Sequence, residues 1–309
     1  MQPQLSTADV PSQYLKAAYL VGHVPFRVLQ SDPRILYALY IPPEHYNARG
    51  TTKLSLLVYV HGTRRDLSYL YDELQAFADS TQCAILAPLF PAEFEGPMDL
   101  ESYKTLKSPT LRSDLALLGI LAESGLMWPG IETSKVFLLG FSGGGQFAHR
   151  FALVHPGRLA AVSVGAPGSV TILDESATWQ NGIADAESVF GHRVEVSLLR
   201  DVAIQLIIGG EDHGPHGGEE FVGWMAQMKH KVGAVGGTRE TVPQNRVESL
   251  QALTASLRQA GVGCEVEIVQ GVGHALKGPI LEAMLRFMGH QLRVWGADGS
   301  EQKYHTTLS

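Results

Sequence analysis

Short runs rich in Val, Ile and Leu alternate with longer stretches whose apolar residues fall at helical spacing through most of the chain. That alternation predicts an α/β protein with a mostly parallel central sheet and helices on both faces. Parallel strands need a crossover connection between them, and the crossovers cover the sheet. The runs place strands at 24–29, 35–41, 54–60, 84–88, 136–139, 160–164, 203–208 and 266–269. Helices are expected over 69–80, 113–124 and 247–260, with another opening after the glycines at 143–145. Ser31-Asp32-Pro33 turns the first two strands into an antiparallel hairpin at the sheet edge. The 54–60 run is too apolar to be half exposed and reads as central. In the 113–124 helix, Leu115, Leu117, Leu118 and Leu121 are expected to be buried.

Two stretches, 168–200 and 213–245, are longer than ordinary connections and are expected to fold over the sheet as a small cap. In the second, Phe221, Val222, Trp224, Met225 and Met228 have helical apolar spacing, which suits core packing or a cap helix facing an apolar substrate. Residues 233–237 are glycine-rich enough to read as mobile. A chain of 309 residues accommodates one α/β domain spanning 1–309, with a core that needs no disulfide or metal.

Several function classes are disfavoured by what is missing. Cys83 and Cys264 each lead into an apolar run and read as buried thiols in a reducing compartment. Residues 1–21 hold no signal-peptide core, and no stretch approaches the ~20 apolar residues of a membrane span. A cytoplasmic protein is the expectation. The 24 basic and 31 acidic residues give a charge of −7 without a basic cluster, so a small molecule, not nucleic acid or membrane, is the expected partner. Oligomeric state is not legible.

The chemistry concentrates after three strands. Gly140-Phe141-Ser142-Gly143-Gly144 stands between a strand and a helix, where a serine on a tight turn projects from the sheet's carboxyl edge. A serine hydroxyl needs a base, and the base an orienting carboxylate. The 203–208 strand ends in Gly209-Gly210-Glu211-Asp212, and the 266–269 strand in Gln270-Gly271-Val272-Gly273-His274.

Taken in this order, the three motifs resemble the α/β-hydrolase family over roughly residues 54–293. The resemblance implies Ser142 as nucleophile, His274 as base and Asp212 as orienting acid, with Glu211 the alternative acid. It also implies an oxyanion hole from the Gly143 N–H and the Thr63 N–H, the latter in His61-Gly62-Thr63-Arg64-Arg65. His61 is expected to hold that loop by hydrogen bonds. Arg64, Phe141 and Trp224 are candidate substrate contacts, whereas Arg65 reads as a solvated partner of Asp66. His213 and His216 near Glu219 and Glu220 do not read as a metal site, because Gly and Pro interrupt the run. No cofactor or metal is expected.

The function so implied is hydrolysis of a carboxylic ester, lactone or thioester of a small, fairly apolar molecule through an acyl-enzyme on Ser142. Two alternatives stay open. One is acyl transfer or carbon–carbon chemistry, a condensation or cyclisation in a secondary-metabolite pathway, at the same residues. The other is a binding protein without turnover.

Overall fold

The computed structural model describes residues 5–214, 220, 223–224, 227–228 and 246–305, with side chains through 296. Its centre is an eight-stranded sheet: β1 (Gly22–Val28), β2 (Leu36–Ile41), β3 (Ser55–Val60), β4 (Cys83–Leu89), β5 (Val136–Phe141), β6 (Leu159–Gly165), β7 (Ala203–Gly209) and β8 (Glu265–Val269). They lie in the order β1-β2-β4-β3-β5-β6-β7-β8. From β4 to β8 every pairing is parallel, while β2 runs antiparallel to both β1 and β4. The expected edge hairpin and central third strand are both found. β3 is buried from Leu56 to Val60 because it has neighbours on either side and helices above and below.

Seven helices have defined bounds among the described residues: α1 (Glu73–Thr81), α2 (Ser113–Met127), α3 (Gly143–Val154), α4 (Ala186–Phe190), α5 (Val196–Leu199), α6 (Arg246–Gln259) and α7 (Pro279–His305). α3 packs on β3, β5 and β6, while α7 packs on β6 and β7 and touches α1. The buried face of α2 runs through Asp114, Leu117, Leu121 and Ser124. Leu115 is therefore not the buried residue expected; it is 47 % exposed on the opposite side. The 69–80 helix is in fact a 3-10 turn, Ser68–Tyr71, followed by α1, with Asp72 out of helical geometry between them. Cys83 is fully buried, but Cys264 is only half-buried, because it precedes the edge strand β8.

The alternation assigned nothing after residue 269, and α7 is the element it missed. Its signal was present: Pro279 stands at the first helical position, and Ile280, Met284 and Met288 recur at helical spacing and are buried.

Residues 168–200 hold α4 and α5 and are tied to the body. The fully buried Arg150 donates to Thr171 Oγ1 (2.9 Å), Ser169 Oγ (3.0 Å) and the Lys104 carbonyl (3.0 Å). The Thr171 N–H donates to His149 Nε2 (2.9 Å), and the Trp179 indole to the Thr105 carbonyl (2.9 Å). The other expected cap stretch, 213–245, lies outside the described residues except for 213–214, 220, 223–224 and 227–228; so do His216, Glu219 and the 233–237 glycine run. Among the described residues, no helix is long and apolar enough to cross a membrane.

Candidate active site

Strand register brings the carboxyl ends of β3, β5, β7 and β8 close to one level. Val60 pairs with Gly140, Phe141 with Gly165, and Gly209 with Val269. The loops leaving these four strands carry Thr63, Ser142, Asp212 and His274.

Ser142 sits at φ 56°, ψ −117°, a left-handed conformation that a side-chain-bearing residue adopts only when its surroundings impose it. Here the surroundings are backbone. A Cβ on Gly140 would strike the Gly144 carbonyl oxygen, and one on Gly144 would strike the Val60 carbonyl oxygen. The Ser142 N–H donates to the Gly165 carbonyl (2.8 Å), and the Ser142 carbonyl accepts from the Gln146 N–H (3.0 Å), so the turn runs directly into α3.

The acid and histidine loops are joined by their own backbones. The Gly210 N–H donates to Val269 O (2.7 Å) and the Glu211 N–H to Val272 O (3.0 Å). That pairing leaves Glu211 outside and turns Asp212 inward, 2 % exposed. His274 then bridges the site: Nδ1 lies 2.6 Å from Asp212 Oδ2 and Nε2 lies 2.9 Å from Ser142 Oγ. Burial pushes the Asp212 carboxyl up. The hydrogen bond and charge of His274, with the charge and hydrogen bond of Arg246, outweigh burial and hold it below the usual carboxylate range.

Gly143 opens α3 beside Ser142, and the Thr63 nitrogen lies 3.0 Å from where a Cβ on Gly143 would stand. The start of α3 and the Thr63 backbone nitrogen are thus close together beside Ser142. Backbone N–H groups at a helix start favour negative charge.

No family model and no curated protein matches the chain. Solved structures do. A poly(3-hydroxybutyrate) depolymerase, LpqC, from Bordetella parapertussis is similar over 87 % of this chain and 90 % of its own, at 20 % identity and a TM-score of 0.59. An S-formylglutathione hydrolase from Agrobacterium tumefaciens is similar over 85 % and 89 %, at 16 % identity and a TM-score of 0.52. FphF, a fluorophosphonate-binding serine hydrolase from Staphylococcus aureus, is similar over 84 % and 95 %, at 14 % identity and a TM-score of 0.51. The chain has the α/β-hydrolase fold.

Around the α/β-hydrolase sheet edge, the remaining expected residues take distinct places. Phe141 is buried with its ring centroid 5.0 Å from that of His274, so it packs against the imidazole. Arg64 is exposed, and Trp224 is 49 % exposed. Arg65 is not a solvated partner of Asp66. Its guanidinium donates to the carbonyls of Thr63, Phe90, Pro91 and Leu100 and lies over the Tyr103 ring. It thereby clamps the loop that presents the Thr63 N–H. His61 is fully buried, with Nδ1 2.9 Å from the Gly62 carbonyl. His213 is exposed, and among the described residues no three metal-ligating side chains cluster.

Three residues around Ser142 and Asp212 escape a reading by motif. Tyr103 is fully buried, donates to the His61 carbonyl (3.0 Å), and its hydroxyl stands 2.5 Å from the point where a Gly143 Cβ would lie. Lys104, 3 % exposed, brings Cε to 2.9 Å from the same point and pairs through Nζ with Glu101 (2.7 Å). Both come from the connection between β4 and α2, to which the alternation assigns no strand or helix. The third is Arg246, 34 positions from Asp212 in the chain and bonded to it at 2.7 Å.

Proposed function

We propose that this chain is a serine-dependent hydrolase of a carboxylic ester, lactone or thioester of a small, fairly apolar molecule, acting through an acyl-enzyme on Ser142. The observation that carries the reading is the continuous line from Ser142 Oγ through His274 to Asp212, with contacts of 2.9 and 2.6 Å, whose serine end adjoins Gly143 and the Thr63 nitrogen. Two of the three structural neighbours are named hydrolases and the third a poly(3-hydroxybutyrate) depolymerase, which supports the same class.

A neutral His274 carrying its proton on Nδ1 donates to Asp212, which leaves the Nε2 lone pair for the Ser142 hydroxyl. As Oγ bonds to the acyl carbon, its proton passes to Nε2 and the carbonyl electron pair moves onto oxygen, facing the two N–H groups. Collapse breaks the bond to the alcohol or thiol, which leaves with the proton from Nε2. Water then repeats the sequence on the acyl-enzyme, releasing the carboxylic acid and restoring Ser142.

Intact-mass spectrometry after incubation with a fluorophosphonate tests this reading, together with turnover of short-chain nitrophenyl esters. One adduct on Ser142 and ester turnover are expected for the native chain, and neither for Ser142→Ala or His274→Ala. A folded native chain that forms no adduct and cleaves none of the esters overturns the reading.

A further inference from the structure

Both oxygens of the Asp212 carboxylate are engaged, by groups from different elements. Oδ2 faces His274 Nδ1 at 2.6 Å, and Oδ1 accepts from Arg246 Nη1 at 2.7 Å. The same Arg246 nitrogen donates to the Gly214 carbonyl, also at 2.7 Å. Arg246 is the first residue of α6, whereas Asp212 and Gly214 follow β7 and His274 follows β8. The Asp212 side chain is 1 % exposed and that of Arg246 is 10 % exposed, so water does little to screen the pair.

Two physical consequences follow. The terminal torsion of an aspartate is broad, and a carboxylate held at one oxygen can swing its free oxygen toward the imidazole or away from it. A donor fixed on Oδ1, itself anchored to Gly214, removes that freedom. An ionised carboxylate this deeply buried also needs a permanent counter-charge, and a neutral imidazole supplies none. A guanidinium supplies one at every working pH.

We propose that Arg246 is a positioning residue for the Ser142–His274–Asp212 set, keeping the Asp212 carboxylate ionised and turned so that Oδ2 meets His274 Nδ1. This rests on the serine-hydrolase reading above. Arg246 touches none of the reacting atoms and acts through Asp212 alone. Its charge and its geometry are separable. The positive charge opposes a further positive charge on the Ser142–His274–Asp212 set, so removing it moves the acid limb of kcat/KM to higher pH. Among the described residues, the charged or titratable groups bonded to Asp212 are Arg246 and His274, while the flanking Glu211 and His213 are exposed. A lysine keeps the charge but cannot reproduce the planar fork.

The experiment compares native, Arg246→Lys and Arg246→Met chains by the pH profile of kcat/KM on a nitrophenyl ester, by thermal melting, and by the downfield NMR resonance of the His274 Nδ1 proton. For Arg246→Met, kcat falls by about 10- to 100-fold, the span of one charge-assisted hydrogen bond, with KM unchanged. Its acid limb moves to higher pH, and the downfield resonance broadens or disappears. Arg246→Lys returns the limb to its native position while kcat stays depressed. A folded Arg246→Met chain with native kcat, limb and resonance overturns the proposal. If Arg246→Met does not fold, Arg246→Lys decides: native kcat overturns the proposal, and depressed kcat with a native limb supports it. A native chain that reacts with no ester or fluorophosphonate counts against the hydrolase reading instead. The His274 resonance and its titration then still report whether Arg246 positions the pair.

Discussion

The backbone N–H of Phe90 donates to Nε2 of His61 at 3.0 Å inside the core, joining the end of β4 to the loop that carries Thr63. A ring nitrogen that accepts a hydrogen bond cannot also carry a proton, so His61 is neutral with its proton on Nδ1. Burial holds its pKa down at about 4, and burial likewise holds the equally enclosed His149 at about 3.

Stability is therefore expected to depend on pH on the acid side of neutrality. Unfolded, each histidine takes up a proton near its ordinary value of about 6.5; folded, it resists protonation until pH is much lower. The unfolded state binds more protons in that window, so stability is fully present above about pH 6.5 and is lost as pH falls toward 4. His61 alone accounts for about 3 kcal/mol across the window, at roughly 1.4 kcal/mol per pH unit. Urea denaturation at a series of pH values checks this, and His61→Gln should flatten the slope by about one proton.

Gly144→Ala is expected to cost more than about 3 kcal/mol, and activity falls with it. The added methyl meets the Val60 carbonyl oxygen, which belongs to a central strand and cannot retreat. Thermal melting reads the loss. A variant that melts within a degree or two of the native chain contradicts the placement of this turn.

Asp212→Asn and Glu211→Gln separate two adjacent carboxylates. Asp212→Asn should lower kcat by about 10⁴-fold, because the amide leaves His274 in the wrong tautomer. Glu211→Gln should keep native rates, since Glu211 is exposed and its backbone N–H already satisfies Val272 O. Steady-state kinetics on one ester decides between them.

Arg150→Met is expected to destabilise the chain by about 3 kcal/mol or more, with residues 168–200 loosening first. The guanidinium joins α3 to Thr171, Ser169 and the Lys104 carbonyl, all in a region that water does not reach. Hydrogen exchange should show Thr171 and the residues around it losing protection in the variant.

Local sequence signals carried far in this chain. Apolar runs predict the eight strands to within a residue or two at most ends; β2 to β7 are buried along nearly their whole length, and a strand buried on both faces tolerates little else. The glycines at 140 and 144 mark a turn where backbones touch, and glycine is the residue type that such contact leaves. Ser142, Asp212 and His274 could be singled out because each follows a recognisable strand, and the carboxyl ends of parallel strands share one edge. α7 is legible in the spacing of Ile280, Met284 and Met288 but falls outside the strand–helix alternation, its helical period lying beyond the last strand.

The amino-acid sequence by itself determined the sheet, the sharp turn at Ser142 and the edge on which the chemistry gathers, since propensity, period and close backbone contact all act over a few neighbouring residues. Only the tertiary structure decided what surrounds that edge: Arg246 on the far oxygen of Asp212, Tyr103 and Lys104 beside Gly143, and Arg65 clamping the Thr63 loop. These contacts join residues distant in the chain, and no local spacing encodes a meeting set by how helices and loops pack on the finished sheet.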